Sequence, residues 1–514
     1  MTVFILVAGA FTGPHVWRDT AARLAAGGAE ARAVALTGLG GGPGASDGPV
    51  DLETHIADVL AVIDAVAAER GREIVLVGHD YGIHPVYGAA DRRAGMVTRI
   101  VHLDAGMVRD GVPALAAVPD PLLREEVANL ATARGERGSG GELPPPAGDA
   151  WSRWGSTAGL SAAALDGLTA LAAPQPLGTL LQPLRLTGAV AAVPVTGVLC
   201  TGNGPGVEML QMMADVGDPA LRALADAGVA FLELPTGHWP MLSCPAVLAD
   251  VLAEAASGGG QRLTTPDAAR PPAHLRPFLL DVPERPRERT GNTDLYLPDG
   301  PGPHPAVVFV HGGPVPAGAR PTPRDWPTLT GYARLVAGHG AAGVTLDHRL
   351  HAVTDYGRAA ADVAEAVERV RADPRVDADR IALWFFSGGG PIMADWLAEP
   401  PRWLRCVAAN YPILAPLPSW GLAGSRFHPV RTVSEAGDLP VVLVRAGRES
   451  AEIAATVEEF VAEAARCAAN VEIVDVPEGR HGFETLDPTD AVRAAVLRAV
   501  NAVLDRLRGP DAVS

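Results

Sequence analysis

The sequence predicts an α/β protein that repeats one architecture: two fused domains, each with a mostly parallel sheet flanked by helices. Strand-like and helix-like patterns alternate over residues 1–256, and the alternation starts again over 277–514. A glycine- and proline-rich linker of 257–276 separates the two halves. At 514 residues the chain also exceeds the size that one hydrophobic core usually supports, so two domains are expected.

Short apolar runs and amphipathic runs define the elements of the first half. The insert of about 108–190 is polar and proline-rich, with Pro144-Pro145-Pro146 inside it, and predicts an irregular lid. The runs predict strands at 3–7, 31–36, 73–77, 99–103, 193–200 and 230–234, and helices at 17–26, 52–70 and 245–256.

The second half repeats the plan at the level of the fold, without a short-period repeat. Its apolar runs predict strands at 293–297, 306–310, 342–346, 381–386, 441–445 and 471–476. Its amphipathic runs predict helices at 328–338, 359–372, 392–397 and 490–507.

Composition argues against several classes of partner. A formal net charge of −17 disfavours nucleic acid and anionic membranes. No apolar run approaches the roughly 20 residues that span a bilayer, and the first residues lack the basic region of a signal peptide. The 4 cysteines lie far apart and predict reduced thiols in a cytoplasmic protein. We therefore expect a small-molecule substrate, no cofactor, and no nucleic-acid or membrane partner, with a homodimer as a candidate assembly.

The chemistry of the second half centres on Ser387. This serine follows the apolar run of 381–386 and precedes Gly388-Gly389-Gly390, so a buried strand enters a tight turn at a serine. Small neighbours at such a strand–turn–helix junction let the backbone take a strained turn that exposes the hydroxyl, which is the arrangement of a nucleophile elbow. The usual G-x-S-x-G pattern is present with Phe385 in place of the first glycine.

Attack on a carbonyl also needs a base, a carboxylate that orients the base, and donors for the oxyanion. His481, after the last predicted strand, is the candidate base. Glu449, after strand 441–445, is the candidate carboxylate, although Glu452 and Asp438 lie close to it in sequence. Serine, acid and histidine thus occur in an order that supports a catalytic triad.

Three signatures of the second half carry a family resemblance: His311-Gly312-Gly313-Pro314 after a strand, the Ser387 turn, and Arg480-His481-Gly482-Phe483. With them, residues of about 290–510 resemble an α/β-hydrolase of the acyl-esterase and dienelactone-hydrolase-like group. The resemblance implies that the N–H groups of Gly313 and Gly388 form the oxyanion hole. It also implies an esterase, lactonase or related acyl-transfer activity.

The first half carries signatures of a different branch. They are Leu52-Glu53-Thr54-His55, Gly78-His79-Asp80-Tyr81-Gly82, Leu103-Asp104-Ala105, Gln182-Pro183-Leu184 and Gly237-His238-Trp239-Pro240. This half resembles the small esterases and hydroxynitrile lyases that have a compact lid.

Three positions of the first half depart from that pattern. Asp80 stands where these enzymes carry serine. The acid position after strand 193–200 holds Thr201-Gly202-Asn203, which has no carboxylate. The His-Gly that normally ends the first strand is Ala8-Gly9.

Three interpretations of the Asp80 site therefore stay open. An aspartate at an elbow can be a nucleophile, and this elbow also resembles those of epoxide hydrolases and haloalkane dehalogenases; His238 would then be the base and Asp104 its orienting carboxylate. Alternatively, Asp80 and His238 form the acid/base pair of a lyase, cyclase or dehydratase. In the third interpretation the domain is degenerate and accessory. The oxyanion and substrate-binding candidates of this half are Ala10, Tyr81, Trp151 and Trp154, with Met107 beside them.

Two weaker motifs carry no function. Residues 38–44 are glycine-rich but lack the lysine and the strand-to-helix context of a phosphate-binding loop. Asp347, His348 and His351 are predicted to be a loop that faces the active site, and we expect no metal there.

Overall fold

Two separate sheets, one of seven strands and one of eight, organise the chain. The computed structural model describes residues 1–40, 49–69, 71–133, 141–265, 271–417, 420, 422 and 424–508. The first compact unit consists mainly of Met1–Leu210 and Ala223–Thr264, and the second consists of Gln211–Arg222, Thr265–Leu417 and Leu422–Ser514. Within the described residues, no helix combines the length and the apolar content that a membrane span requires.

The sheet of the first unit is parallel except at one edge, where its last strand pairs antiparallel. Its central strands are runs of buried valine, isoleucine and leucine, as expected for a sheet covered on both faces. In sheet order the strands are β2 (Glu30–Ala33), β1 (Thr2–Val7), β3 (Glu73–His79), β4 (Val97–Leu103), β7 (Val195–Cys200), β8 (Ala230–Leu234) and β9 (Gln261–Arg262).

Helices connect these strands, and Leu52–Ala67, Ile83–Arg92 and Pro245–Ala256 among them pack on the sheet. The helix that begins at Leu52 has an N-terminal capping box formed by Asp51 and Thr54, which explains why it starts where the sequence predicts. The helices over residues 1–264 are Arg18–Ala26, Leu52–Ala67, Ile83–Arg92, Pro121–Ala133, Ala162–Leu171, Leu177–Leu181, Val207–Asp215, Pro219–Asp226, Pro240–Ser243 and Pro245–Ala256.

Two predictions for this half need correction. The insert of 108–190 is not irregular throughout, because it contains three of these helices and a two-stranded pair, β5 (Glu142–Leu143) with β6 (Gln175–Pro176). The predicted linker of 257–276 contributes β9 to the sheet edge. The glycine-rich motif of 38–44 lies partly outside the described residues.

The sheet of the second unit begins with an antiparallel hairpin and continues as parallel strands. The predicted mostly parallel arrangement is therefore confirmed for both sheets. In sheet order the strands are β10 (Arg287–Thr290), β11 (Thr293–Tyr296), β13 (Ala342–Leu346), β12 (His304–Val310), β14 (Val376–Phe386), β15 (Leu404–Asn410), β16 (Val441–Arg448) and β17 (Val471–Arg480).

The helices of the second half pack against this sheet, and the long C-terminal helix buries one apolar face from Val492 to Leu507. The predicted helix at 392–397 is observed as Met393–Ala398, and it is preceded by a 3₁₀ turn over Ser387–Ile392. The helices are Pro327–Gly338, Tyr356–Arg371, Met393–Ala398, Pro429–Thr432, Ala451–Cys467, Phe483–Leu486 and Asp490–Arg508.

Candidate active sites

The elbow of the second unit lies where β14 ends and the 3₁₀ turn begins. Ser387 has a φ of 48°, which is the left-handed region that non-glycine residues seldom adopt. Glycines surround it because the chain has no room for side chains: a Cβ added at Gly388 would collide with the carbonyl oxygen of Gly313. A serine held in this strained turn is presented at the end of the sheet.

Three side chains that are far apart in sequence meet at this elbow. His481 Nε2 lies 2.7 Å from Ser387 Oγ, and His481 Nδ1 lies 2.6 Å from Glu449 Oε2. The His481 and Glu449 side chains are only 5% and 6% exposed, so little water competes for these bonds. The arrangement can pass the serine proton to the imidazole while the carboxylate stabilises the resulting imidazolium.

The peptide groups around Ser387 are fixed by hydrogen bonds. The Ile413 N–H donates to the carbonyl oxygen of Ser387 at 3.1 Å. Because C=O and N–H point in opposite directions across a trans peptide, this bond also sets the direction of the Gly388 N–H. The Tyr356 hydroxyl donates to the carbonyl oxygen of Gly388 at 2.8 Å and holds the next peptide in the same way.

The loop that follows β12 approaches Ser387 closely. Gly312 lies against the serine, since a Cβ there would come within 2.9 Å of Ser387 Cβ. His311, one residue earlier, stacks on His348 with ring centroids 3.6 Å apart. Burial and then the neighbouring His348 charge lower the pKa of His311 well below its usual value, so the pair is neutral and serves as a packed support.

The loop residues Asp347, His348 and His351, which are predicted to face the active site, each have hydrogen-bond or ion-pair partners within the protein. His348 Nε2 bonds the carbonyl oxygen of His311, and His351 Nδ1 bonds that of Val315. Asp347 pairs with Arg324 at 3.0 Å.

The elbow of the first unit has the same backbone and a different side chain. Asp80, at the end of β3, also has a φ of 48°. The Ala10 N–H donates to Asp80 Oδ2 at 3.0 Å. The other carboxylate oxygen, Oδ1, lies 3.9 Å from His238 Nε2, and His238 Nδ1 lies 2.7 Å from Asp104 Oδ2. Asp80, His238 and Asp104 thus form a carboxylate–imidazole–carboxylate series.

Asn203 is a member of this site that sequence reasoning missed. It stands at the position where a triad acid is expected, and its Nδ2 donates to Asp104 Oδ2 at 2.7 Å. Its Oδ1 accepts a hydrogen bond from the Ser156 N–H at 2.6 Å, which fixes the amide. The carboxylate that contacts His238 is therefore Asp104, which follows β4. Asn203, at the position where related enzymes carry the acid, donates a hydrogen bond to it.

The electrostatics of the two adjacent histidines differ. Burial alone would lower the pKa of His238, but the hydrogen bond to Asp104 and the charges of Asp104 and Asp80 outweigh burial and raise it. Burial, followed by the nearby His238 charge, lowers the pKa of His79 to about 4. His238 is therefore the imidazole of this site that holds a proton most readily.

The remaining sequence candidates of the first half are placed as follows. The Tyr81 hydroxyl bonds His55 Nδ1 at 2.8 Å, so this side chain belongs to the core, whereas its backbone belongs to the elbow. Trp154 packs edge-on against Phe11 with ring centroids 4.7 Å apart, and Trp151 donates to Thr169 from inside the lid. Met107 is 44% exposed. The two tryptophans are nearly fully buried and form a wall beside the loop that contains Ala10.

A mostly parallel sheet with a strained residue at a strand–helix elbow, facing a histidine backed by a carboxylate, defines the α/β-hydrolase class of proteins. Comparison with known proteins gives the same class. Residues 4–251 match the alpha/beta hydrolase family. The carbendazim hydrolyzing esterase of Nocardioides sp. (strain SG-4G) is 32% identical over 263 residues, which is 49% of this chain and 99% of that relative.

Solved structures similar to this chain include an extracellular alpha/beta-hydrolase from a Paenibacillus species, with 20% identity, a TM-score of 0.39 and coverage of 50% of this chain and 99% of that one. A methylesterase from Arabidopsis has 18% identity and a TM-score of 0.36, and covers 50% of this chain and 100% of its own. On the sequence matches, the chain belongs to the alpha/beta hydrolase family, and the curated relative reported above is named as an esterase.

Proposed function

We propose that the protein hydrolyses a carboxylic ester or lactone through an acyl-enzyme on Ser387. The observation that carries the proposal is the bridging imidazole of His481, 2.7 Å from Ser387 Oγ and 2.6 Å from Glu449 Oε2. The alpha/beta hydrolase family match covers residues 4–251 and so concerns the half that carries Asp80. For the half that carries Ser387, the proposal stands on the geometry of the three side chains.

In the proposed mechanism, Ser387 Oγ attacks the substrate carbonyl carbon while His481 Nε2 takes its proton. The Nδ1–H of His481 donates to Glu449, which stabilises the imidazolium. The N–H groups of Gly313 and Gly388 receive the developing oxyanion. His481 then protonates the departing alcohol oxygen, and in the second half-reaction it activates a water that releases the acid and restores Ser387.

An acyl-enzyme can be tested directly with an aryl acetate. We expect a burst of phenol release, and a quenched sample should gain one acetyl mass on the peptide that contains Ser387. Ser387→Ala should show neither, whereas Asp80→Ala should show both. Turnover that persists in Ser387→Ala without an acyl-enzyme would refute the assignment.

A second candidate function belongs to Asp80, and one observation favours it: the Ala10 N–H already bonds Oδ2 at 3.0 Å while Oδ1 is directed towards His238. If Oδ1 attacks an electrophilic carbon and displaces a leaving group, an aspartyl ester forms. Water deprotonated by His238 then attacks Cγ, and Oδ2 becomes the oxyanion on the Ala10 N–H. When this intermediate collapses, the Cγ–Oδ1 bond breaks and the departing oxygen takes a proton from the His238 imidazolium. The product alcohol leaves with Oδ1, and the water oxygen stays in the carboxylate.

This second reaction can be followed by the position of oxygen. The probe is styrene oxide or n-butyl bromide, and a single turnover is run in water labelled with oxygen-18. The label should appear in the Asp80 carboxylate. In His238→Gln the aspartyl ester should accumulate, because no base activates the water. Label found only in the product, with activity lost in Asp80→Ala, would assign Asp80 and His238 to acid/base chemistry. If Asp80→Ala leaves every activity of the protein intact, the first half is accessory.

A further inference from the structure

A fully buried carboxyl group, that of Glu484, lies three residues after His481 in the chain. Glu484 lies in the first turn of helix Phe483–Leu486, and it has no exposure to solvent. Its Oε1 accepts hydrogen bonds from the Tyr332 hydroxyl at 3.0 Å and from Asn410 Nδ2 at 2.7 Å. The same carboxyl group is also hydrogen-bonded to the Tyr411 side chain. A buried carboxyl is costly to keep, so its retention here calls for a role.

Asn410 joins this carboxyl to the sheet. Its Oδ1 accepts a hydrogen bond from the Trp384 indole at 2.9 Å, so its Nδ2 is left to donate. The two Nδ2 protons go to Glu484 and to the Tyr332 hydroxyl, the latter at 2.9 Å. Each donor is used, so the orientation of every group in the cluster is fixed.

Tyr411 connects the cluster to the catalytic histidine. It follows Asn410 at the end of β15 with a φ of 35°, which is a strained value for a tyrosine. Its ring lies 4.8 Å from the His481 ring and 5.2 Å from the Phe483 ring, centroid to centroid. The ring of Tyr411 therefore supports one side of the imidazole.

The protonation states of Glu484 and Tyr411 follow from their burial. Burial raises the pKa of Glu484, which favours its protonated form. Burial and then the nearby Glu484 raise the pKa of Tyr411 well above its usual value, so its hydroxyl stays protonated. A carboxyl group can accept a hydrogen bond from a tyrosine hydroxyl, and when protonated it can also donate one.

We propose that Glu484 is a positioning residue for His481, acting through Asn410 and Tyr411 to hold the imidazole against Ser387. This inference rests on the proposed serine chemistry. It adds a group that the reaction needs and that touches neither the substrate nor the reacting atoms.

The test compares Glu484→Gln with Glu484→Leu, using the rate at which a fluorophosphonate labels Ser387 together with kcat and KM for an aryl acetate. The amide of Glu484→Gln keeps an oxygen that accepts hydrogen bonds and an N–H group that donates them, so this variant should retain most of the wild-type rate. Glu484→Leu fills the space but can neither accept nor donate a hydrogen bond. We expect the labelling rate and kcat to fall by about 10- to 100-fold, with KM nearly unchanged. A small displacement of a catalytic group causes a loss on this scale.

Two outcomes overturn the proposal: Glu484→Leu labels as fast as wild type, or Glu484→Gln loses as much as Glu484→Leu. If the leucine variant does not fold, Tyr332→Phe decides, because it removes one hydrogen bond to Oε1 and keeps the ring. It should slow labelling without changing KM, and an unchanged rate refutes the proposal. Wild-type protein that is not labelled at Ser387 would instead refute the proposed function itself, so the two failures are distinguishable.

Discussion

At the scale of single residues, the chain contains the same elbow twice with different side chains. Ser387 and Asp80 share a φ of 48°. The serine oxygen lies 2.7 Å from its histidine, whereas the nearer aspartate oxygen lies 3.9 Å from His238 and the other is held by Ala10. The same strained backbone conformation thus places a serine hydroxyl against an imidazole in one half and a carboxylate against a backbone N–H group in the other.

The choice of Glu449 as the triad acid gives a sharp prediction. Glu449→Gln should lower kcat for an aryl acetate by about 100- to 10,000-fold, because the amide cannot stabilise the imidazolium. Glu452→Gln is the matched control: this glutamate lies in the first turn of helix Ala451–Cys467 and should leave the rate unchanged. Steady-state kinetics of both variants decide the assignment, and equal losses in the two would contradict it.

The candidate site was predictable from sequence only in part, and the reason is physical. Ser387 and His481 stand in glycine-containing turns after apolar strands, so local pattern identifies them. Asn203 and Glu484 carry no such signal, because their roles depend on partners that are distant in sequence, Asp104 and Asn410. Which of Glu449 and Glu452 reaches His481 is likewise a matter of three-dimensional position.

At the scale of elements, the critical feature is the close approach of the loop after β12 to the turn after β14. Gly388 faces the carbonyl oxygen of Gly313 with no room for a side chain. The two backbone segments are thus in close contact, as the proposed oxyanion hole requires.

Gly388→Ala should therefore abolish labelling of Ser387, and the added methyl group should destabilise the protein by about 1–3 kcal/mol through overpacking. Gly357→Ala is the control, since a Cβ at Gly357, in helix Tyr356–Arg371, meets nothing within 4 Å. This control should keep full activity and gain up to about 1 kcal/mol, because alanine loses less backbone entropy on folding. Urea unfolding and labelling check both variants; an active and stable Gly388→Ala would contradict the geometry.

Element prediction succeeded where apolar periodicity was strong and failed where alanine dominated. The strand β15, with the sequence Leu-Arg-Cys-Val-Ala-Ala-Asn, was not predicted because alanine has low strand propensity. It forms because its fully buried place between β14 and β16 provides hydrogen bonds on both edges. The alanine-rich helix Ala162–Leu171 within the insert was missed for a similar reason, since its apolar pattern is weak.

At the scale of the whole molecule, buried histidines link stability to pH. Burial lowers the pKa of His79, His84 and His348 to about 4 and that of His102 to about 3. Between the unfolded value of about 6.5 and these folded values, the unfolded chain binds protons that the folded chain does not. Stability is therefore full above about pH 6.5 and is lost as the pH falls.

Each such histidine should cost about 1.4 kcal/mol of stability per pH unit through this window. We expect the urea midpoint, followed by tryptophan fluorescence, to drop markedly between about pH 7 and pH 5. In His84→Phe the free energy of unfolding should change less steeply with pH, by the contribution of one histidine. The phenyl ring can keep the stacked packing on Tyr81 but does not bind a proton. A midpoint that stays constant across this range would show that the histidines are solvated.

A serine nucleophile activated by a histidine reacts covalently with organophosphorus reagents, so covalent labelling can test the proposed roles of Ser387 and His481. Wild-type protein treated with a fluorophosphonate should gain one label, mapped by peptide mass spectrometry to Ser387, and His481→Gln should slow this reaction strongly. Asp80→Ala should label at the wild-type rate. If the label is found on another residue, or if His481→Gln reacts at the wild-type rate, Ser387 is not a nucleophile activated by His481.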